Sequence, residues 1–328
     1  VAFALPLMGL KAYYLHIAVL GLIHGLLVLG LNLIAGYTGQ LSLAQAGFFG
    51  LGSYITALLM LNAGMSFWLA ALLGILATGT FAACVGLPTL RLKGPYFVIS
   101  TLGLGEIIRL VFVHWESVTR GPNGLAGIPA PDPIDLGFMV LTFESKTSAY
   151  YLILVVLLVT IYFYHNLIDS RVGRAFRAIR DDSIAAEVMG INLTAYKVLA
   201  FAAGAMLSAL AGALYTSYIR FISPDTFTIG EAVNILIMLV LGGMGTISGA
   251  LAGALGITYL LETMRIFADY RMVIYGLLMF VIIVYMPQGL AGLGNSLLER
   301  MAIIFSPNTP KPVAKVKAEL PHSVEGEV

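Results

Sequence analysis

The residues whose types and spacing could do work in this chain are concentrated in one polar island, residues 169–192, which reads DSRVGRAFRAIRDDSIAAEVMGIN. Arg171, Arg174, Arg177 and Arg180 recur every third residue, and Asp181 and Asp182 follow at once. In a helix each step of three falls about 60° short of a full turn, so the four guanidiniums wind over roughly half the cylinder. Such a helix is wet or docked to a partner. Asp182 or Ser183 can cap a second short helix, in which Ala185 and Ala186 present a low-relief face and Gly190 supplies the stop. The work implied is recognition and leverage, not bond making. The sequence has no GxxxxGK[ST] phosphate loop, no HExxH and no GxSxG, so neither nucleotide hydrolysis nor the commoner hydrolase chemistry is signalled. No catalytic residue, metal site or cofactor is expected, and if ATP drives the protein, another chain binds it. Arginine at every third position also suits a voltage sensor, but a sensor must cross the membrane. Asp169 before the row, with Asp181, Asp182 and Glu187 after it, leaves no window of about 20 residues that lipid would accept.

The elements that must hold this island are membrane spans. Of 328 residues 59% are hydrophobic and 11% charged, with a mean hydropathy of +0.93, which defines an all-α, polytopic integral membrane protein. The formal net charge of +1 gives no footing for nucleic acid, and the single cysteine, Cys84, excludes a disulfide framework. Residues 1–10 form an apolar run too short to cross, either an incomplete or alternatively started helix or an interfacial one. Spans are expected at 15–35, 48–61, 67–87, 96–113, 150–167, 195–218, 232–241, 254–267 and 272–286. Starting outside, nine crossings end inside, and every cluster of excess Lys and Arg then falls on the cytoplasmic side apart from isolated Lys11. Gly-rich broken or re-entrant segments leave the count at about nine or ten. The transmembrane domain would run over residues 1–305. Residues 114–148, with four acidic residues against two basic, form an external loop, and 306–328 a disordered cytoplasmic tail.

Two glycine-rich segments follow inward-going spans. Laid without a gap, residues 36–50 and 242–256 share seven of fifteen positions, including Gly36 with Gly242, Gly39 with Gly245 and Ser42 with Ser248. Two halves related by a parallel repeat would place these segments against a shared substrate path. Gly36, Gly39, Gly47, Gly50 and Gly52 interrupt helix, while Gln40, Ser42 and Gln45 bring hydrogen-bonding groups to membrane depth. They either pack a sharp interhelical turn or line the path, and the polar side chains favour the path. Gly245, Gly249 and Gly253, like Gly204, Ser208 and Gly212, recur every fourth residue, the spacing that lets two helix backbones approach closely. Glu106 and Arg109 sit three residues apart within a span, either a gate or a fold-stabilising pair. Thr194 is the expected cap of the span from 195. Residues 119–129, TRGPNGLAGIP, read as a shaped loop that either meets an external partner or only fixes its own course.

Five ordered motifs, LNLIAGYTGQLSLAQAGFFGLGSYITALL, GPYFVISTLGLGEIIRLV, TRGPNGLAGIP, GRAFRAIRDDSIAAEVMGIN and LGGMGTISGALAGALG, resemble the LivM-type permeases of branched-chain amino acid ABC importers, over about residues 31–292. The resemblance implies a bacterial inner-membrane importer completed by a second, LivH-like permease, two cytoplasmic ATPase subunits and a periplasmic substrate-binding protein. It also implies that residues 173–190 are the coupling element seated in a groove of the ATPase, carried by Arg174, Arg177, Arg180, Asp181, Asp182, Ala185, Ala186 and Gly190. Gly36, Gly39, Gln40, Ser42, Gln45, Gly242, Gly245 and Ser248 are the candidates for the path. Leu, Ile or Val suits an apolar path; related permeases carry urea or short amides, and a stand-alone secondary transporter is the more distant alternative. Residues before the first span look short by part of a helix, and those after Pro307 carry no family signature.

Overall fold

The computed structural model describes residues 12–92, 94–135, 140–143, 145–264 and Gly276, and the chain is mostly helical. In order come α1 (Ala12–Leu31), which continues as a π-helical turn Asn32–Tyr37, α2 (Gln45–Ala63), α3 (Phe67–Thr89) and α4 (Pro95–His114). A short α5 (Glu116–Thr119) and strands β1 (Leu125–Ala126), β2 (Ile134–Asp135) and β3 (Val140–Leu141) lead to α6 (Lys146–Asp169). Then follow α7 (Arg171–Asp181), α8 (Ser183–Val188), α9 (Leu193–Ile219), β4 (Phe221–Ile222), α10 (Ile229–Gly242) and α11 (Ile247–Thr263). Among the described residues seven helices are long and apolar enough to cross a membrane, and α11 is a shorter apolar eighth. The expected span at 272–286 and the tail at 306–328 lie outside the described residues, so the count of nine or ten is not reached among them.

Long runs of Leu, Ala, Val and Gly make these helices apolar all round, the pattern of helices that face lipid or other helices on every side. The two cases separate clearly. Every residue from 25 to 38 is buried, which makes α1 the axis of the bundle. In contrast α3, α4 and α6 expose Leu69, Leu72, Leu76, Ile99, Ile107 and Phe163, an apolar belt that only lipid or a partner helix would cover.

Packing around the axis is backbone to backbone. A methyl group on Gly30 of α1 would lie 2.7 Å from the carbonyl oxygen of Gly204 in α9, and one on Gly212 would lie 2.8 Å from the amide nitrogen of Ser53 in α2. Gly52 meets Ala209 as closely, and the Ser53 hydroxyl donates to the Gly212 carbonyl at 3.1 Å. The small-residue stripe of α9 therefore serves two neighbours at once. Gly249 and Gly253 do the same between α10 and α11, where they meet the backbone of Gly242. Gly47, Gly50 and Gly52 do not interrupt helix, contrary to expectation. They lie inside α2, where the backbone of Gly105 fills the space beside Gly47, the rings of Phe112 and Phe227 that beside Gly50, and the backbone of Ala209 that beside Gly52. Only residues 39–44 leave the helical path.

At the end of the bundle remote from α7, β1 pairs antiparallel with β4, joining Leu125 to Ile222 and Ala126 to Phe221. Arg120, Gly121, Gly124 and Gly127 all take positive φ, so this loop is shaped residue by residue. Replacing Gly212 by Leu would push α9 off α2 against rigid main chain, so the cost should exceed the ~1–3 kcal/mol of ordinary overpacking. A fall in the apparent melting temperature of the detergent-solubilised protein measures it.

Candidate functional site

The polar island folds as two capped helices joined by an acidic turn. The Ser170 hydroxyl accepts hydrogen bonds from the amides of Val172 (3.1 Å) and Gly173 (3.5 Å), which starts α7 directly after α6. Gly173 has room for no side chain, since a methyl there would lie 2.5 Å from the Cα of Ile168. Arg177 Nη2 donates to the Ile168 carbonyl at 2.6 Å and Arg174 Nη1 to the Asp169 carbonyl at 3.2 Å, so two guanidiniums bind α7 to the end of α6. Ala175, Phe176 and Ile179 are buried, and the ring of Phe176 meets Tyr196 of α9 edge-on. The arginines, stepping by three, wind around the rest of the helix, Arg174 and Arg177 turning to the end of α6.

Asp182 caps α8: one carboxylate oxygen accepts from the amides of Ile184 (2.8 Å) and Ala185 (3.1 Å). At the other end Gly190, at φ +84°, closes the helix, with Ile191 donating to the Ala186 carbonyl at 3.0 Å and Gly190 to that of Glu187 at 2.9 Å. Asp181 and Ala185 are exposed. Ala186 is not part of an outward alanine face. It is 4% exposed and packs inward, while Ile184 (75%), Val188 (82%) and Met189 (82%) form what α8 presents. Once the cap fixes the helix phase, Ala186 falls on the packed side and the three larger side chains on the other.

The inner face of α7 reaches the two glycine-bearing turns. The Arg180 guanidinium donates to the Gly36 carbonyl at the end of α1. Asn32, fully buried one turn earlier, bridges to the α10–α11 turn: its side-chain oxygen accepts from the Gly245 amide at 2.8 Å, and its nitrogen donates to the Thr246 carbonyl at 3.1 Å. Gly39 and Gly245, matched in the repeat, both take positive φ, at +73° and +82°, and both turns lie at the α7 end of the bundle. A cavity of about 770 Å³ opens there, lined among others by Gly39, Gln40, Phe97, Arg180, Ser183 and Lys197.

The remaining path candidates separate. Gln40 is half-buried at this cavity, and its side-chain oxygen has no hydrogen-bond partner. Ser42 is buried and its hydroxyl accepts from the Ala44 amide at 3.3 Å, while Gln45 is buried against α9, its oxygen accepting from the Ser208 hydroxyl at 3.0 Å. Gly242 is buried against α11, and Ser248 is exposed.

Three polar features escape the sequence pattern. Asn32 is one, and the second is a cluster within the bundle: His24 Nε2 lies 3.1 Å from a Glu231 carboxylate oxygen, and His24 Nδ1 lies 3.1 Å from the Thr258 hydroxyl, tying α1 to α10 and α11. The third is Asn192, whose side chain accepts from the Ala195 amide at 3.0 Å and caps α9 in place of the expected Thr194. Glu106 and Arg109 do pair, with Arg109 Nε 3.0 Å from both carboxylate oxygens.

A bundle of apolar helices, broken at one end by glycine turns and carrying there a capped amphipathic helix pair, defines a class: a polytopic membrane protein. Residues 13–283 match the family described as branched-chain amino acid transport system / permease component, and the chain belongs to that family. It is 34% identical over 292 residues to the high-affinity branched-chain amino acid transport system permease protein LivM of Salmonella typhimurium, covering 84% of this chain and 69% of the relative, and equally so to that of Escherichia coli. It is 26% identical over 298 residues to LivH of Salmonella typhimurium, covering 83% and 92%. The autoinducer 2 import system permease protein LsrC of Salmonella choleraesuis is 30% identical over 268 residues, covering 76% and 72%. No solved structure is a significant match.

Asn32→Leu would leave the Gly245 amide and the Thr246 carbonyl unpaired, at about 1–3 kcal/mol each. The expected result is a lower melting temperature together with faster amide exchange at 243–246, measured by hydrogen–deuterium mass spectrometry.

Proposed function

We propose that the chain is a permease subunit of an ATP-driven importer in the bacterial inner membrane, forming part of the path for branched-chain amino acids and taking its power from ATPase subunits that grip α7 and α8. The observation that carries the proposal is the apolar tip Ile184, Val188 and Met189, held out on a helix capped at both ends. A large exposed apolar cluster on an otherwise charged element marks a docking site. Family membership and the likeness to LivM support the cargo class, Leu, Ile or Val. In this assignment α7, α8 and the 770 Å³ cavity face the cytoplasm and the β1–β4 pair faces outward. Residues 1–305 form one membrane domain of nine or ten crossings, and 306–328 form the tail. Two ATPases, a LivH-like second permease and a periplasmic binding protein complete the assembly. The apolar belt on α3, α4 and α6 supports contact with lipid and the second permease.

The mechanism follows from stiffness. ATPase closure moves the capped helix pair, α7 moves with α6 because two guanidiniums and the Ser170 cap bind them, and the displacement reaches the spans as a rigid-body shift that alternates access. Likeness to LsrC, named for autoinducer 2 import, fits a second view of the cargo, in which the binding protein selects it and this scaffold conducts it.

Val188→Asp should lower ATPase copurification and labelled leucine uptake by about tenfold or more, as loss of an apolar anchor does, with the permease melting temperature unchanged. Substitution of Ala186 by a bulky charged residue should instead unfold α8, because that side chain is enclosed. Leucine moved by the chain alone in liposomes, without ATPases, would overturn the proposal.

A further inference from the structure

We propose that Arg180 is a latch that joins the α7–α8 element to both glycine-bearing turns, so that it transmits motion into the bundle and does not contact the ATPase. The proposal rests on the permease assignment above and names a positioning residue within it. The four arginines of α7 share one period but divide their partners. Arg174 and Arg177 turn back to the last carbonyls of α6 and stiffen the element. Arg180 alone of these crosses 144 residues of sequence, to the Gly36 carbonyl.

The slot that receives it is made of glycine from both copies of the repeat. A methyl on Gly245 would lie 2.6 Å from Arg180 Nη1, and one on Gly39 would lie 3.4 Å from its Cγ. A side chain at Gly245 would evict the guanidinium. The two walls of the slot are themselves joined, since Asn32 binds Gly245 and Thr246. A pull on Arg180 therefore loads the end of α1 and the α10–α11 turn together. Its acceptor also sits at the C-terminus of α1, where unpaired carbonyls concentrate partial negative charge and favour a cation. A planar guanidinium offers several donors in a fixed fork, so it can hold Gly36 while lying against Gly245; a lysine ammonium is a single point on a flexible stem.

The test uses the assembled complex of this chain, its partner permease and the ATPases in nanodiscs, with ATP turnover, labelled leucine uptake and ATPase copurification read on each variant. Arg180→Ala should copurify with the ATPases as wild type does and keep ATP turnover within about twofold, while leucine carried per ATP falls about tenfold, the size expected for loss of one charge-assisted hydrogen bond. Arg180→Lys should recover part of the coupling and Arg180→Gln less. If Arg180→Ala does not fold, the graded loss between Lys and Gln tests the latch in its place. Loss of copurification would make Arg180 an ATPase contact and overturn the latch, and so would unchanged leucine per ATP in all variants. Failure of the wild-type chain to copurify, or full activity of Val188→Asp, would instead overturn the permease assignment.

Discussion

A main chain that leaves the helix at membrane depth must find partners for its peptide groups inside the protein, because lipid offers none. This constraint governs the α7 end of the molecule. Among the helix breaks there are residues 39–44 and the α10–α11 turn, and each frees amides and carbonyls. One buried side chain, Asn32, meets the need at the second break with both a donor and an acceptor. At the first break Thr38 donates back to the Ile34 carbonyl at 2.7 Å and Gln40 contributes its amide to the same oxygen at 3.1 Å. The Gly36 carbonyl is left for Arg180. The π-helical turn Asn32–Tyr37 belongs to the same solution, since widening the helix by one residue per turn shifts the phase at which Asn32 and Gly36 face α10 and α11.

Glycine does two separate jobs in this arrangement. At Gly39, Gly190 and Gly245 it supplies positive φ where the chain must reverse. At Gly30, Gly52, Gly204 and Gly212 it supplies proximity, bringing α1, α2 and α9 together so closely that side chains are excluded from the contact. The second job matters more in lipid than in water, because no hydrophobic drive holds apolar helices together there and dispersion between close backbones must do so. A bundle held by contacts of this kind resists shear between α1, α2 and α9.

What was legible in the sequence follows this division. Helix existence, the capped double helix and the glycine stop could all be read, because each depends on residues a few positions apart. Asp182 and Gly190 act within three or four residues of themselves, and the arginine period needs no neighbour to be recognised. Orientation was not legible. Ala186 points inward because α8 leans on the bundle, which the local pattern of α8 does not reveal. Gly47, Gly50 and Gly52 look like helix breakers until Ala209, Phe227 and Gly105 are placed beside them. Asn32 and His24 are single polar letters in an apolar run, and their partners lie more than 200 residues away. The signal available was only that such residues are expensive in a span and so must have partners.

The repeat and the α7–α8 pair bear on one another. If the two glycine turns were merely similar in sequence, α7 could touch one and leave the other to the helices between them. The geometry is more direct, because residues from both turns form one slot and a single guanidinium occupies it. The α7 helix is tied down along that line: Ser170 caps it, Gly173 lets it fold tightly against Ile168, and Phe176 meets Tyr196 of α9. A displacement of α8 carried through Arg180 would therefore load residues from both turns together, beside the cavity that Gln40 lines.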